Sequence, residues 1–583
     1  MTMATARQRN GRRNDRVQET RVATGFLGLG PPAAAVRDFL GVVPPERMPM
    51  TRVYQTRSSH RWPGLVVLLS TILAPAGLAQ TPAVESPWFG VPLPPVFEPH
   101  VAPAIIGGRG PVPAIVPPGE GEYVELTGAA IRADLETIVR FSRESRERRE
   151  IGSGQLWGRI TGFPSSRDTI AWAAEQFRAA GIEDVELQGF EQAGDAAFWL
   201  PLSWEMRLVG GPAFGSNSED VVLTTAMPLA PSALPVGTMT APLVHVGTAS
   251  AAELVHIDVR GKIAVQHVTP QAHMVFERTP TVPRARALFE RGAVGVINVV
   301  DQPGNEMARD FSNCGGPCFN LGGRDGVFLE TVMDRAAEAG VLGQLRVRLS
   351  LDTDRRSGLS AHNGVGVLPG TGPTDETIII NAHADAWFDG AGDNGDGLAV
   401  LVALARHFAG GAYRPRRTLV FVASAGHHSP GLNGPRHVVA MNPALAAHAV
   451  LALNIEHVAQ RNLSPARSLF ADGYREFIAD SGEAPIVAGV SNESPFLDDL
   501  FTQGVERYGT NFVSGPSTMA SGEGGGYRAL GVAIVTTMQA PPLYHTSGEV
   551  LDVISTPGLE RIARFLAFFI KQVDQAPVAQ INP

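Results

Sequence analysis

From residue 376 onward the chain alternates four apolar strand segments, ETIIINA, RTLVFVAS, AVLALNIE and GVAIVTTM, with the helical segments LAVLVALARHFA, PRHVVAMNPALAAHA, FLDDLFTQGVERY and LERIARFLAFFIKQV. A strand that is apolar without alternation is buried on both faces. That pattern belongs to parallel sheets whose crossover helices cover both sides. In the first helix, Leu398, Leu401, Val402, Ala405 and Phe408 recur at the helical period and predict one core-facing stripe. The expected fold class is therefore α/β: a mixed, mainly parallel sheet with helices on both faces.

In an open parallel sheet, ligands bind beyond the carboxyl ends of the strands. Here each of the four ends is followed by residues that bind metals. ETIIINA leads into His383-Ala384-Asp385 and then Gly390-Ala391-Gly392-Asp393-Asn394. RTLVFVAS leads, after Ala425-Gly426, into His427-His428, and AVLALNI into Glu456-His457. GVAIVTTM is followed by a short loop and then Tyr544-His545-Thr546. One histidine after a strand is usually a satisfied surface residue, whereas four ends supplying His, Asp and Glu to one crest point to a metal site. Nitrogen and oxygen donors without thiolate suit zinc best, ahead of manganese or cobalt.

The rest of the chain reads differently. Helices are expected over 126–150 and 166–180, followed by a strand near VELQGF. Residues 205–350 read as β-rich, with strands at VVLTTAM, PLVHVG, KIAVQHV and VGVINVV and a helix over 283–292. Residues 80–120 hold eleven prolines and read as a linker or extended arm, not a packed element. Residues 1–79 carry eleven arginines against four acids, net +7, so the other 504 residues carry −16 of the total charge of −9. Within that stretch, basic residues after Met48 or Met50 precede a short apolar run, Leu65–Leu73, and the small-residue segment APAGLAQ, the order of a cleavable export signal. Translation is expected to start at Met48 or Met50, and the mature protein to be secreted or periplasmic. The acidic balance excludes a nucleic-acid binder. Two cysteines, Cys314 and Cys318, exclude a disulfide scaffold or cysteine-built zinc finger; they read either as a local disulfide or as two thiols. No segment reads as a stable membrane span, and the sequence leaves the oligomeric state open.

The segment NAHADAWFDGAGDNGDG resembles the H-x-D … G-A-x-D-N motif of the co-catalytic zinc exopeptidases, a family that includes bacterial aminopeptidases and glutamate carboxypeptidase-type enzymes. PLYHTSGEVLD and the lead-in NGVGVLPGTGPTDETIII fit the same family. PLVHVGTASAAELVHIDVRGKIAVQHV and ARALFERGAVGVINVV resemble the protease-associated domain often inserted in it. The resemblance implies the phosphorylase/hydrolase-like zinc peptidase fold over 121–210 and 351–575, an inserted β-rich domain over 211–350 and a tail over 576–583. It implies two zinc ions. His383, Asp393 and Glu456 would hold the first, and Asp393, His428 and His545 the second, with Asp393 bridging. Asp385 would orient His383, Tyr544 would stabilise the oxyanion, and Glu523 in SGEGGGYRALG would border the pocket and contact the peptide substrate. The implied activity is that of an aminopeptidase.

One departure stands out. The family places Glu-Glu after the second strand, a general base and a metal ligand, whereas this chain has His427-His428 in SAGHHSPGLNG. An imidazole can serve in either role, since it ligates zinc and titrates near pH 6.5. With two carboxylate ligands in place of three, the second metal is expected to bind more weakly. Three readings follow: an active di-zinc aminopeptidase with His427 as base, a mono-zinc acyl-transfer enzyme resembling glutaminyl cyclases, or a catalytically degenerate binding protein. His457 reads as a neighbour that packs or hydrogen-bonds, and Asp396 as a cap or first-turn acid of the helix over 397–409.

Overall fold

A computed structural model of the chain describes residues 86–269, 281–309, 314–469, 473–514, 522–539 and 541–583. The export segment and the upstream extension lie outside the described residues.

The central sheet has eight strands in the order Phe512–Ser514, Ile486–Val490, Ala533–Gln539, Ala449–Glu456, Thr377–His383, Thr418–Ser424, Ser360–Leu368 and Asp184–Glu191. The middle four run parallel, and antiparallel pairing sets in on either side of them. Every residue of Thr377–His383 and Ala449–Glu456 is buried, which is why these segments show no polar alternation. Helices cover both faces, so the fold is α/β as the alternation implied.

Two helices packed on this sheet differ from their sequence reading. Helix Gly397–Ala409 buries every residue except Arg406 and Ala409, not a single stripe. It lies between the sheet and the helices Gly128–Glu147 and Thr556–Gln575, so apolar surface meets it on all sides. The single helix expected over PRHVVAMNPALAAHA is two, Gly434–Met441 and Pro443–Ala447, because Pro443 interrupts the run and restricts Asn442 before it.

The second sheet orders Val221–Val222, Phe198–Leu208, Arg346–Arg356, Thr238–His245, Ile263–Val268, Gly295–Val300, Cys318–Leu321 and Met227–Pro228. The long antiparallel pair Phe198–Leu208 and Arg346–Arg356 carries the chain out and back, and the four strands from Thr238 to Leu321 pair in parallel. VVLTTAM forms only two two-residue strands at its ends. Helix Gly323–Glu338, absent from the sequence reading, buries Phe328, Leu329, Val332, Met333 and Ala336 at helical spacing. Cys314 and Cys318 are joined as a disulfide.

The proline-rich arm is extended, as prolines require, but it is docked along the body. Trp88 is buried and stacks on Phe214 at 5.5 Å. Ile105–Gly108 pairs in parallel with Arg475–Glu483, which pairs with Arg461–Arg467 to make a small third sheet. Among the described residues, no helix is long and apolar enough to cross a membrane.

Candidate metal centre

The parallel register brings the strand ends level. His383 stands opposite Ser424, Asn381 opposite Asn454, and Glu456 opposite Met538. The residues that follow therefore meet at one crest: His383, the loop from Ala384 to Asp396, His427-His428, Glu456-His457 and His545.

Asp393 is the hub. Its carboxylate is buried, with Oδ2 3.3 Å from His428 Nε2 and 3.0 Å from His545 Nε2. Oδ1 lies 3.2 Å from His383 Nε2 and 2.8 Å from His457 Nε2. One carboxylate thus presents each oxygen to a different pair of imidazoles. Two overlapping sets have ligand atoms all within 4.8 Å of one another: His383, Asp393 and His428, and His383, His427 and Glu456. His383 Nε2 and Asp393 Oδ2 are buried and make no hydrogen bond, a costly arrangement for polar atoms and one that a bound cation satisfies. The donor set, imidazole nitrogen and carboxylate oxygen without sulfur, fits zinc.

The supporting groups fix these donors. His383 Nδ1 donates to the Asp385 carbonyl at 3.0 Å, with the Asp385 carboxylate 3.5 Å away. Asp385 Oδ2 accepts from Thr161 Oγ1 at 2.8 Å and from the His428 amide at 3.0 Å, so one carboxylate ties two strand ends together. Glu456 Oε1 accepts from Asn454 Nδ2 at 2.9 Å and from the Glu523 amide at 2.8 Å. That last bond needs glycine at 522: its φ is +57°, and a Cβ there would stand 2.1 Å from Glu456 Oε2. His457 Nδ1 bonds the Gln539 carbonyl at 3.1 Å. His457 and His545 both hold positive φ, 47° and 57°, unusual for residues with a Cβ and typical of over-determined functional loops.

His427 is the most open of these imidazoles, its side chain 18% exposed, and so faces the approach to the crest. Its Nδ1 lies 3.1 Å from Glu523 Oε1, which leaves Nε2 for the cluster. Its ring stacks on that of His383 at 4.3 Å. The Tyr544 ring stacks on His545 at 3.6 Å.

Burial pushes His428 down to about 3 and His545 down to about 4, so both stay neutral at physiological pH, the form that ligates metal. Burial would raise Asp393, but His457 and His428 outweigh it and hold the carboxyl well below its usual range. His427 moves up instead: burial and His383 oppose its charge, and the Glu523 carboxylate overcomes them.

All nine residues singled out in the sequence, His383, Asp385, Asp393, His427, His428, Glu456, Glu523, Tyr544 and His545, stand at this crest. Asp396 does not cap its own helix. Its Oδ2 accepts the Val458 and Ala459 amides at 3.0 and 2.7 Å, tying the helix start to the loop after Glu456. Sequence reasoning passed over Arg159. Fully buried, it donates to the carbonyls of Ala384, Asp389 and Gly390 at 2.9, 2.9 and 3.0 Å and to Ser142 Oγ at 2.7 Å, holding both arms of the loop between His383 and Asp393. An arginine inside the apolar stretch QLWGRITGF was its only signal.

Residues 363–570 match the model of Peptidase family M28. That segment is similar to peptidase family M28. It holds every strand-end donor described above. A probable glutamate carboxypeptidase of Arthroderma benhamiae is 35% identical over 98 residues, 16% of this chain and 13% of that protein. The chain thus matches about an eighth of the length of that curated relative. The peptidase M28 precursor of Shewanella amazonensis superposes with a TM-score of 0.55 at 18% identity, covering 77% of this chain and 98% of that one. A zinc aminopeptidase from Bacillus subtilis superposes with a TM-score of 0.51 at 15% identity, covering 78% and 98%. At such identities the likeness establishes the M28 fold.

Proposed function

We propose that this chain is an exported zinc-dependent exopeptidase, an aminopeptidase acting on the N-termini of peptides. The observation that carries the proposal is the Asp393 carboxylate, with His383 on one oxygen and His428 and His545 on the other. His383, Asp393 and Glu456 would hold one zinc, and Asp393, His428 and His545 a second. When bound, zinc supplies Lewis acidity and an acidified water. His427 accepts and returns the proton at Nε2 while Glu523 Oε1 holds its Nδ1. Tyr544 serves the oxyanion. Export rests on the signal-like order of residues 48–79, and the second sheet serves as the protease-associated domain.

Glu523 favours the aminopeptidase over a carboxypeptidase. Its Oε1 is engaged by His427, but its Oε2 is buried and makes no hydrogen bond. A buried carboxylate oxygen beside the crest suits the α-ammonium of a peptide N-terminus.

The His427-His428 pair also favours a second reading, a protein that keeps the centre without hydrolysing peptides. A panel of aminoacyl amides, with and without chelator, separates the two. Chelator-sensitive release of the amino acid supports the peptidase. Metal binding without turnover on any member establishes the second reading, and turnover that survives in His427→Ala removes His427 as the base.

A further inference from the structure

A cavity of about 240 Å³ lies in the seam where the docked arm, the end of helix Gly128–Glu147 and the second sheet meet. Phe97, Trp157, Trp204, Met206 and Met307 give it an apolar, largely aromatic lining, and Arg146 contributes the guanidinium. The other polar groups there are already engaged. Glu205 is paired with Arg207 through two bonds of 2.9 and 2.7 Å. Gln155 exchanges bonds with the Trp204 backbone at 2.9 and 3.2 Å. Arg146 lies with its Cζ 5.4 Å from the Trp157 ring centroid, and its Nε is buried without a hydrogen bond.

We propose that this cavity binds a small organic anion with an apolar body, and that its occupancy is coupled to the metal centre. An anionic group would pair with Arg146, and the body would lie among Trp157, Trp204 and Met206. Arginine is suited to this because it recognises carboxylates while its plane rests on an aromatic ring. An engineered apolar cavity of about 150 Å³ holds benzene, so this one accommodates roughly ten non-hydrogen atoms.

The coupling follows from what two of its walls hold. Trp157 donates its indole N–H to Asp389 Oδ1 at 3.2 Å, and Asp389 lies on the loop between His383 and Asp393. The same carboxylate receives His100 from the arm at 2.6 Å and Arg143 at 3.0 Å. Met307 belongs to a short brace against the loop of His545. Its amide donates to Ser547 Oγ at 3.0 Å, the Ser547 amide donates to its carbonyl at 2.9 Å, and the Arg309 amide donates to the His545 carbonyl at 2.9 Å. A ligand that fixes Trp157 and Met307 fixes the supports of ligand loops on both sides of Asp393. By linkage, any such effect is reciprocal.

The metal-centre half of the proposal rests on the reading of the crest given above; the binding half does not. The test uses full-length, zinc-loaded protein and 3-phenylpropanoate as probe, followed by calorimetry and tryptophan fluorescence. Saturable one-to-one binding is expected, weakened about tenfold or more in Arg146→Gln and by less in Arg146→Lys, which keeps the charge and loses the planar fork. The neutral amide of the probe is expected to bind wild type and Arg146→Gln alike. Absence of saturable binding, or equal affinity of the anion for Arg146→Gln, overturns the site. Chelator competition then reads the coupling: slower zinc release with saturating probe supports it, and unchanged release overturns it while leaving the binding result intact.

Discussion

His427 Nδ1 stands 3.1 Å from Glu523 Oε1, so the imidazole proposed as general base is held by a carboxylate from the glycine-rich loop. Partners of this kind fix the tautomer and direction of an imidazole, and their loss typically costs about 10- to 100-fold in activity or metal affinity. Glu523→Ala is predicted to lower kcat by that order. Glu523→Gln, which keeps an acceptor oxygen, should lose less. Steady-state kinetics on an aminoacyl amide checks both. If Oε2 receives the substrate ammonium, both variants raise KM as well.

Arg159 bonds three backbone carbonyls from inside the core. Burial lowers its pKa to about 10, so it stays charged at neutral pH. Arg159→Met takes the donor from the Ala384 carbonyl and leaves the Asp389 and Gly390 carbonyls with Ser142 Oγ and the Gly395 amide alone; it is predicted to destabilise the fold by about 1–3 kcal/mol. Denaturant unfolding of the metal-free protein measures this, and chelator competition should show weakened zinc retention in any variant that folds.

Glu306 sets a pH dependence. Burial raises its carboxyl to about 7, against the bond from Ser547 that lowers it. The folded state therefore binds its proton more tightly than the unfolded chain does. Its contribution is fully present below about pH 4.5, is lost as pH rises towards 7, and is flat above. Glu306→Gln keeps an acceptor for Ser547 and removes the titration. The variant is predicted to match wild type near pH 5 and to exceed it at pH 8 by on the order of 3 kcal/mol, read by thermal or denaturant unfolding at both pH values.

What could be read in advance follows from periodicity. The four parallel strands were visible because burial on both faces leaves unbroken apolar runs, and His383, Asp393, His427, Glu456 and His545 were visible because each ends or follows one of them. Helix Gly323–Glu338 was hidden because Gly323, Arg324 and Gly326 open it without a cap signal. The arm was misread because proline content reports extension and is silent on docking; Trp88 and His100 find partners more than a hundred residues away. Arg159 acts through main-chain carbonyls, which leave no trace in side-chain pattern. His457 was expected to pack or hydrogen-bond. It does both, but that its partner would be Asp393 depended on the register of two strands.

Asp393→Asn keeps the shape of the hub and removes the charge that faces four imidazoles. Its product should fold, retain less than one metal per chain and show no amide hydrolysis, as judged by elemental analysis beside the activity assay.

The most direct measurement is metal stoichiometry of the purified protein at zinc excess, taken together with aminoacyl-amide hydrolysis as zinc is withdrawn by a graded chelator. Two zinc ions per chain are predicted, the second released first because Asp393 and Glu456 are the only carboxylate ligands, with hydrolysis falling as zinc leaves. Protein that binds no metal at zinc excess contradicts the account.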